Sequence, residues 1–230
     1  MTNIFFVQPE FIELDSRKDR ENGYIVTSEF MYTRYQAMLP PSLVTGKRIL
    51  DLGSCVSSAG AWCLFHGASF YQGVEISEEF VQNATFSLKK YYPSKLWDVN
   101  QNYFEDFLAN NKKPFDVLIA SGIIHGSNDP VSLLKSFAKV ANFIVIEGMQ
   151  TRTIFHQNIL NKQTIEAIAK DPGIIKFLEN ESYISVGDRG MIAPDNKMLK
   201  YAGLNPSMGA VKYIMNKLGF EFNDSPHKKL

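Results

Sequence analysis

Cysteine is nearly absent from this chain of 230 residues: there are two, Cys55 and Cys63. That excludes a disulfide scaffold, and the pair, one in a turn and one in the helix after it, is poorly separated for a bond. Both read as reduced thiols, which suits a cytoplasmic protein. Histidine is scarce too, with four. No Cys/His cluster has metal-ligand spacing, so no metal is expected. There is no excess of charge, since Lys plus Arg and Asp plus Glu both come to 24. Without a global field a nucleic-acid partner is not favoured, although a local basic patch would not show in that balance. No run approaches the roughly 18 apolar residues of a membrane span. Nothing resembles a leader, because Glu10, Glu13 and Asp15 come early and no long apolar run follows. Internal repeats and low-complexity tracts are missing. So is Gly-x-Gly-x-x-Gly, the pattern that lets a pyrophosphate approach the backbone.

What is present is 45% hydrophobic residues, enough for one globular domain of ordinary size with a substantial core. The stretch Arg48-Ile-Leu-Asp-Leu-Gly-Ser-Cys-Val-Ser-Ser-Ala-Gly60 organises it. It reads as a short buried strand over Arg48–Asp51, a turn at Gly53, and a helix from about Ser57 to His66, with Gly67 at its C′ position. A strand feeding a helix through a glycine turn sets a ligand beyond the carboxyl end of the strand, against backbone N–H groups. Glu75 ends a second strand-like run, Ser69–Val74. An acid there can accept both hydroxyl hydrogens of a ribose, which points to an adenosine-bearing cofactor. Asp51 would repel a diphosphate but suits a cofactor with a cationic ammonium group. Asp51 can equally be a turn carboxylate bonded to backbone N–H groups, and both roles can hold at once.

Further on, Ser77 can cap a helix, with Glu78 and Glu79 in its first turn and Lys89 and Lys90 in its last. A third strand lies within Ser94–Asn102, and a short helix starts at Phe104. Phe115–Ala120 is a nearly continuous apolar run, as in a strand buried on both faces. Asp129-Pro130 starts a helix, and Phe143–Ile146 is a fifth strand. Strands alternating with helices predict an α/β, Rossmann-like, doubly wound, mostly parallel sheet with helices on both faces.

In order and spacing, these segments resemble the class I S-adenosylmethionine-dependent methyltransferases over roughly residues 46–148. Asp51-x-Gly53-x-Cys55-x-Ser57 is similar to their first motif, with Cys55 and Ser57 where glycines are usual, which reduces backbone freedom. Val74-Glu75-Ile76-Ser77 resembles the second motif, Asn102-Tyr-Phe-Glu-Asp106 the adenine-contacting loop, and Phe115 to His125 the fourth strand with the motif facing the methyl group. The resemblance implies S-adenosylmethionine as cofactor and S-adenosylhomocysteine as product. It implies cofactor contacts at Asp51, Gly53, Ser54, Cys55, Glu75, Ile76, Phe104, Glu105, Ser121 and Gly122. His125, after the fourth strand, can take the acceptor's proton or merely shape the pocket. Tyr32, Arg34, Tyr35, Arg189 and Tyr201 are substrate-side candidates or ordinary packing, and Glu147-Gly148 can border the acceptor pocket. His66 helps to end a helix.

The expected organisation is an N-terminal arm or lid (1–47), a cofactor-binding core (48–148), a substrate-covering insertion (149–204), and a last helix and strand (205–230). Within it, helices are expected at 161–170 and 173–180, a loop at 187–197, a helix from Asn205-Pro206 to Gly219, and a sixth strand at Phe220–Asn223. The helix within Thr27–Leu39 is either a lid or a cover for one sheet face. The family's seventh strand is not evident; either the chain is a fragment, or a partner or the 183–186 stretch takes its place. The expected activity is methyl transfer to an oxygen or nitrogen of a small molecule or sugar. The alternatives are a non-catalytic binding module, a nicotinamide oxidoreductase, and a tRNA-modifying methyltransferase. The last rests on a short likeness of Tyr201–Ser207 and Lys217–Phe220 to wobble-uridine tRNA carboxymethyltransferases.

Overall fold

The computed structural model describes residues 28–124, 127, 129–147, 183–192, 198–205 and 208–221. They divide into two compact units, one of 28–119 with 140–145, the other of the described residues in 120–139 and 146–221. The elements in chain order are α1 (Ser28–Met38), α2 (Pro41–Val44), β1 (Arg48–Leu52), α3 (Ser58–Phe65), β2 (Phe70–Glu75) and α4 (Glu78–Tyr91). They continue with β3 (Trp97–Gln101), α5 (Phe104–Asn110), β4 (Phe115–Ser121), α6 (Pro130–Val140), β5 (Ala141–Glu147), β6 (Tyr183–Ile192), β7 (Met198–Asn205) and α7 (Met208–Lys217).

Five strands form one parallel sheet in the order β3-β2-β1-β4-β5, the α/β arrangement that the alternating pattern predicts. β1 pairs with β2 in register, Asp51 opposite Gly73 and Leu52 opposite Val74. Central position explains the β1 sequence: Ile49, Leu50 and Leu52 are wholly buried, as a strand covered on both faces requires. β3 is the sheet's edge, and there only Trp97–Gln101 is strand; Ser94–Leu96 forms a 3₁₀ turn before it.

The core of the first unit joins α1, α3, β1, β2 and β4 through Met31, Tyr35, Leu39, Ile49, Trp62, Tyr71 and Val117. The Trp62 indole N–H donates to the Leu39 carbonyl at 2.7 Å, which fixes the end of α1 against α3. Local signals hold where the sequence has them. Ser77 Oγ accepts the Phe80 N–H at 3.4 Å at the start of α4, and Asp129 Oδ1 accepts the Ser132 N–H at 3.0 Å at the start of α6.

Three expectations are corrected in the later part of the chain. Residues 187–192, expected in a loop, belong to a strand: β6 and β7 pair antiparallel, with an irregularity between Gly187 and Met191. The same pairing sets Tyr183–Val186 opposite Ala202–Asn205 in a separate two-stranded sheet, so that stretch does not supply a further strand to the five-stranded one. Phe220 and Glu221 are outside any strand; they follow Gly219, which closes α7 at φ 88°. Phe222 and Asn223 and the helices expected at 161–170 and 173–180 lie outside the described residues. No helix among the described residues is long and apolar enough to cross a membrane.

Candidate functional site

The turn after β1 starts where the β1–β2 ladder ends. The Gly53 and Ser54 N–H groups both donate to the Val74 carbonyl, at 2.8 and 3.1 Å. The backbone then reverses through three left-handed residues, Gly53 at φ 67°, Cys55 at φ 51° and Ser57 at φ 58°. The Ala61 N–H closes on the Ser57 carbonyl at 2.9 Å, and α3 begins with no side chain capping it. Cys55 and Ser57, expected to reduce the turn's backbone freedom, in fact take the conformation that glycine adopts freely. For a residue with a Cβ that conformation costs about 1–2 kcal/mol, so the surroundings must hold it.

Glu75 supplies part of that hold. Its Oε2 accepts the Cys55 N–H at 2.8 Å, while Oε1 accepts the N–H groups of Ile76 at 2.8 Å and Ser77 at 3.0 Å. The side chain is buried. A carboxylate has about four acceptor positions, so room for a further donor remains after these three. Bonds to backbone N–H groups, which the sequence suggests for Asp51, are thus made by Glu75.

Asp51 is instead held by a side chain. It is 4% exposed, and the Tyr71 hydroxyl donates to its Oδ2 at 2.9 Å. Burial pushes the Asp51 carboxyl up to about 7; the Tyr71 hydroxyl and the positive charge of Arg34 work against that rise, and the Glu75 charge adds to it. Burial likewise pushes up the Cys63 thiol and the Tyr71 phenol, helped in both by the neighbouring Asp51.

Sequence reading missed Tyr71. Its signal lies in two glycines. A Cβ on Gly60, in the middle of α3, would stand 2.3 Å from the Tyr71 ring. A Cβ on Gly73 would stand 2.8 Å from Ser54 Oγ and 3.1 Å from the Tyr71 hydroxyl. Tyr71, Gly73 and Glu75 are alternate residues of β2 and share one face, so a tyrosine two residues before a glycine and four before the acid was the clue.

The other candidates fall as follows. Tyr35 is core, and Tyr32, 38% exposed, packs edge-on to Trp62 at 5.7 Å. Arg34 is buried, with its guanidinium 5.2 Å above the Tyr35 ring. Phe104, half-buried, and Glu105, exposed, open α5. The loop before them is tied to the second motif: the Asn102 N–H donates to the Glu75 carbonyl at 3.0 Å and Gln101 Nε2 to the Ile76 carbonyl at 3.3 Å. His66 ends α3, with its backbone N–H donating to the Trp62 carbonyl at 3.1 Å. A groove of about 520 Å³ lined by Arg48, Phe70, Asp98, Lys113 and Phe115 lies at the amino ends of the strands, away from the motif residues.

In the second unit the Ser121 hydroxyl donates to Glu147 Oε2. The N–H of Gly122, at φ 72°, donates to the Glu147 carbonyl at 2.8 Å. The ends of β4 and β5 are joined in this way. Arg189 and Tyr201 fall in β6 and β7. His125 and Gly148 lie outside the described residues.

No protein-family model and no curated protein sequence matches the chain. Solved structures do. A chain assigned as an S-adenosylmethionine-dependent methyltransferase from Listeria monocytogenes superposes with a TM-score of 0.59 at 16% identity, covering 84% of this chain and 85% of that one. Magnesium protoporphyrin IX methyltransferase from Synechocystis PCC 6803, with S-adenosylhomocysteine bound, gives 0.53 at 13% identity, over 85% and 74%. The N-terminal domain of EvdMO1, in the presence of S-adenosylhomocysteine and D-fucose, gives 0.52 at 14% identity, over 92% and 84%. The chain thus has the fold of the class I S-adenosylmethionine-dependent methyltransferases.

Proposed function

We propose that this protein is an S-adenosylmethionine-dependent methyltransferase acting on an oxygen or nitrogen of a small-molecule acceptor, such as a sugar or another metabolite. The observation that carries the reading is the turn after β1. It keeps three left-handed residues at Gly53, Cys55 and Ser57 although two lack glycine's freedom, and it is bonded to an acid at the end of β2. A backbone held at that cost is more often part of a site than of a plain connection.

The residues fit the cofactor. Asp51 offers a buried carboxyl for an ammonium group, and Glu75 retains acceptor capacity for a ribose hydroxyl. Gly53, Ser54, Cys55 and Ile76, whose N–H groups are bonded to the Val74 carbonyl and the Glu75 carboxylate, line the adenosine side as close-lying backbone, with the start of α5 at Phe104 and Glu105. Ser121 and Gly122 are assigned to the methionine part by motif resemblance. When bound, the cofactor supplies an electrophilic methyl carbon on sulfur. The protein's part is to align the acceptor in line with that carbon and exclude water. The acceptor must also lose a proton, and His125 is proposed to receive it.

Support for a small acceptor comes from two structural neighbours, one named for a porphyrin substrate and one studied with a sugar, and from the lack of net charge. The test is calorimetric titration with S-adenosylmethionine, S-adenosylhomocysteine and NADH. Micromolar binding of the first two but not the third supports the reading. Binding of NADH alone replaces it with an oxidoreductase, and binding of none with a silent module. Methyl transfer to a panel of sugars, phenols and amines then tests the acceptor class.

A further inference from the structure

Tyr71 is fully buried, and among the described residues it is the one hydrogen-bond donor to the Asp51 carboxyl. Among the described residues, the titratable and charged groups that face Asp51 are Tyr71 and Glu75 from β2, Arg34 from α1 and Cys63 from α3. The phenol and thiol stay neutral near pH 7, because burial pushes both up. Arg34 and the Tyr71 hydroxyl favour the ionised carboxyl, whereas burial and Glu75 favour the acid. A carboxylate held out of water needs a partner. Tyr71 and Arg34 fill that need only in part, since burial still outweighs them.

We propose that Tyr71 is a positioning residue for the cofactor site: its hydroxyl orients Asp51 and keeps it ionisable, so that uptake of the cofactor's ammonium group expels a proton from Asp51. The step conserves atoms. The carboxylic O–H bond breaks, its proton leaves to solvent, and the carboxylate then pairs with the ammonium while Tyr71 continues to donate to Oδ2. Gly60 is part of the device, since a side chain there would displace the Tyr71 ring. The inference rests on the cofactor reading of Asp51 given above.

The test is calorimetric titration of the full chain with S-adenosylhomocysteine and, separately, with 5′-methylthioadenosine, which has the adenosine but no ammonium. It is run from about pH 5 to about pH 7, where the ammonium stays charged, in two buffers of different ionisation enthalpy. Affinity for S-adenosylhomocysteine should rise about tenfold per pH unit, with a heat that depends on the buffer. Methylthioadenosine should show neither effect. Tyr71→Phe, which keeps the ring over Gly60, should weaken S-adenosylhomocysteine about fivefold at pH 7 and leave methylthioadenosine unchanged. Asp51→Asn should give a flat profile. A flat wild-type profile with no buffer dependence overturns the inference while leaving the cofactor reading standing. So does Tyr71→Phe weakening both ligands alike, since a merely structural tyrosine would do that. If neither ligand binds, the cofactor reading falls and the inference with it.

Discussion

Glu75 accepts the Cys55 N–H at 2.8 Å across 20 residues of chain, and so ties the end of β2 to a left-handed residue of the turn after β1. The same carboxylate accepts two more N–H groups, from Ile76 and Ser77. Glu75→Ala therefore removes a structural tie as well as a ligand. It should lower stability in urea unfolding by about 1–3 kcal/mol, the range for a buried donor left without an acceptor. It should also weaken S-adenosylmethionine by about 1.5–3 kcal/mol. A variant as stable as the wild type would show that these bonds do not hold the turn.

Cys55→Gly tests the turn's conformation. Glycine relieves a left-handed residue of about 1–2 kcal/mol but adds chain entropy to the unfolded state, about 0.5–1 kcal/mol. The net expectation is a gain of about 0.5 kcal/mol in the midpoint analysis of chemical unfolding. A loss beyond about 1 kcal/mol would mean that the thiol makes contacts outweighing the backbone.

Gly60→Ala drives a methyl group into the Tyr71 ring, at 2.3 Å from its Cζ before any shift. Overpacking of this kind costs about 1–3 kcal/mol. Tyr71→Val in the same chain should recover part of that loss, because it empties the space. Absence of recovery in the double variant would place the strain elsewhere in α3.

Asp51 gives a pH dependence of definite sign. Its folded-state value of about 7 lies above the ordinary 3.8, so the folded chain holds more protons than the unfolded one between these limits. Its contribution to stability is complete below about pH 4 and is lost as pH rises through about 7. Asp51→Asn should flatten that part of the stability profile and make the ligand-free protein more stable than the wild type at pH 8, by about 1–3 kcal/mol. Parallel profiles for the two proteins would show that Asp51 does not titrate in this range.

Legibility in the sequence followed the range of the interaction. Asp51, Gly53 and Glu75, the Ser77 cap, Asp129-Pro130 and Gly219 are local signals, and each stands where the residues suggested. β3 was blurred because it is the sheet's edge: a half-exposed strand tolerates Asp98, Asn100 and Gln101, which hide the alternation. β6 read as loop because Gly187, Asp188 and Gly190 interrupt it, and they fall where its pairing is irregular. The spacing of Tyr71 from Gly73 and Glu75 marks a shared face of β2 but not what the tyrosine does there. Its meaning depends on the close approach of Gly60 from another element, and on a carboxyl on the adjacent strand. The backbone bonds of Glu75 were hidden for the same reason.

The packing of Trp62 equips the protein with an optical readout of its own. One of two tryptophans, it is wholly buried, its indole N–H is bonded to the end of α1, and its ring lies 4.1 Å from the imidazole of His66. Burial holds that imidazole below its usual titration range. A protonated imidazole at such a distance quenches indole emission, whereas the neutral ring does so far less. Fluorescence of the unlabelled chain accordingly brightens as pH rises through the His66 transition, and it reports the seating of α1 on α3 without any dye.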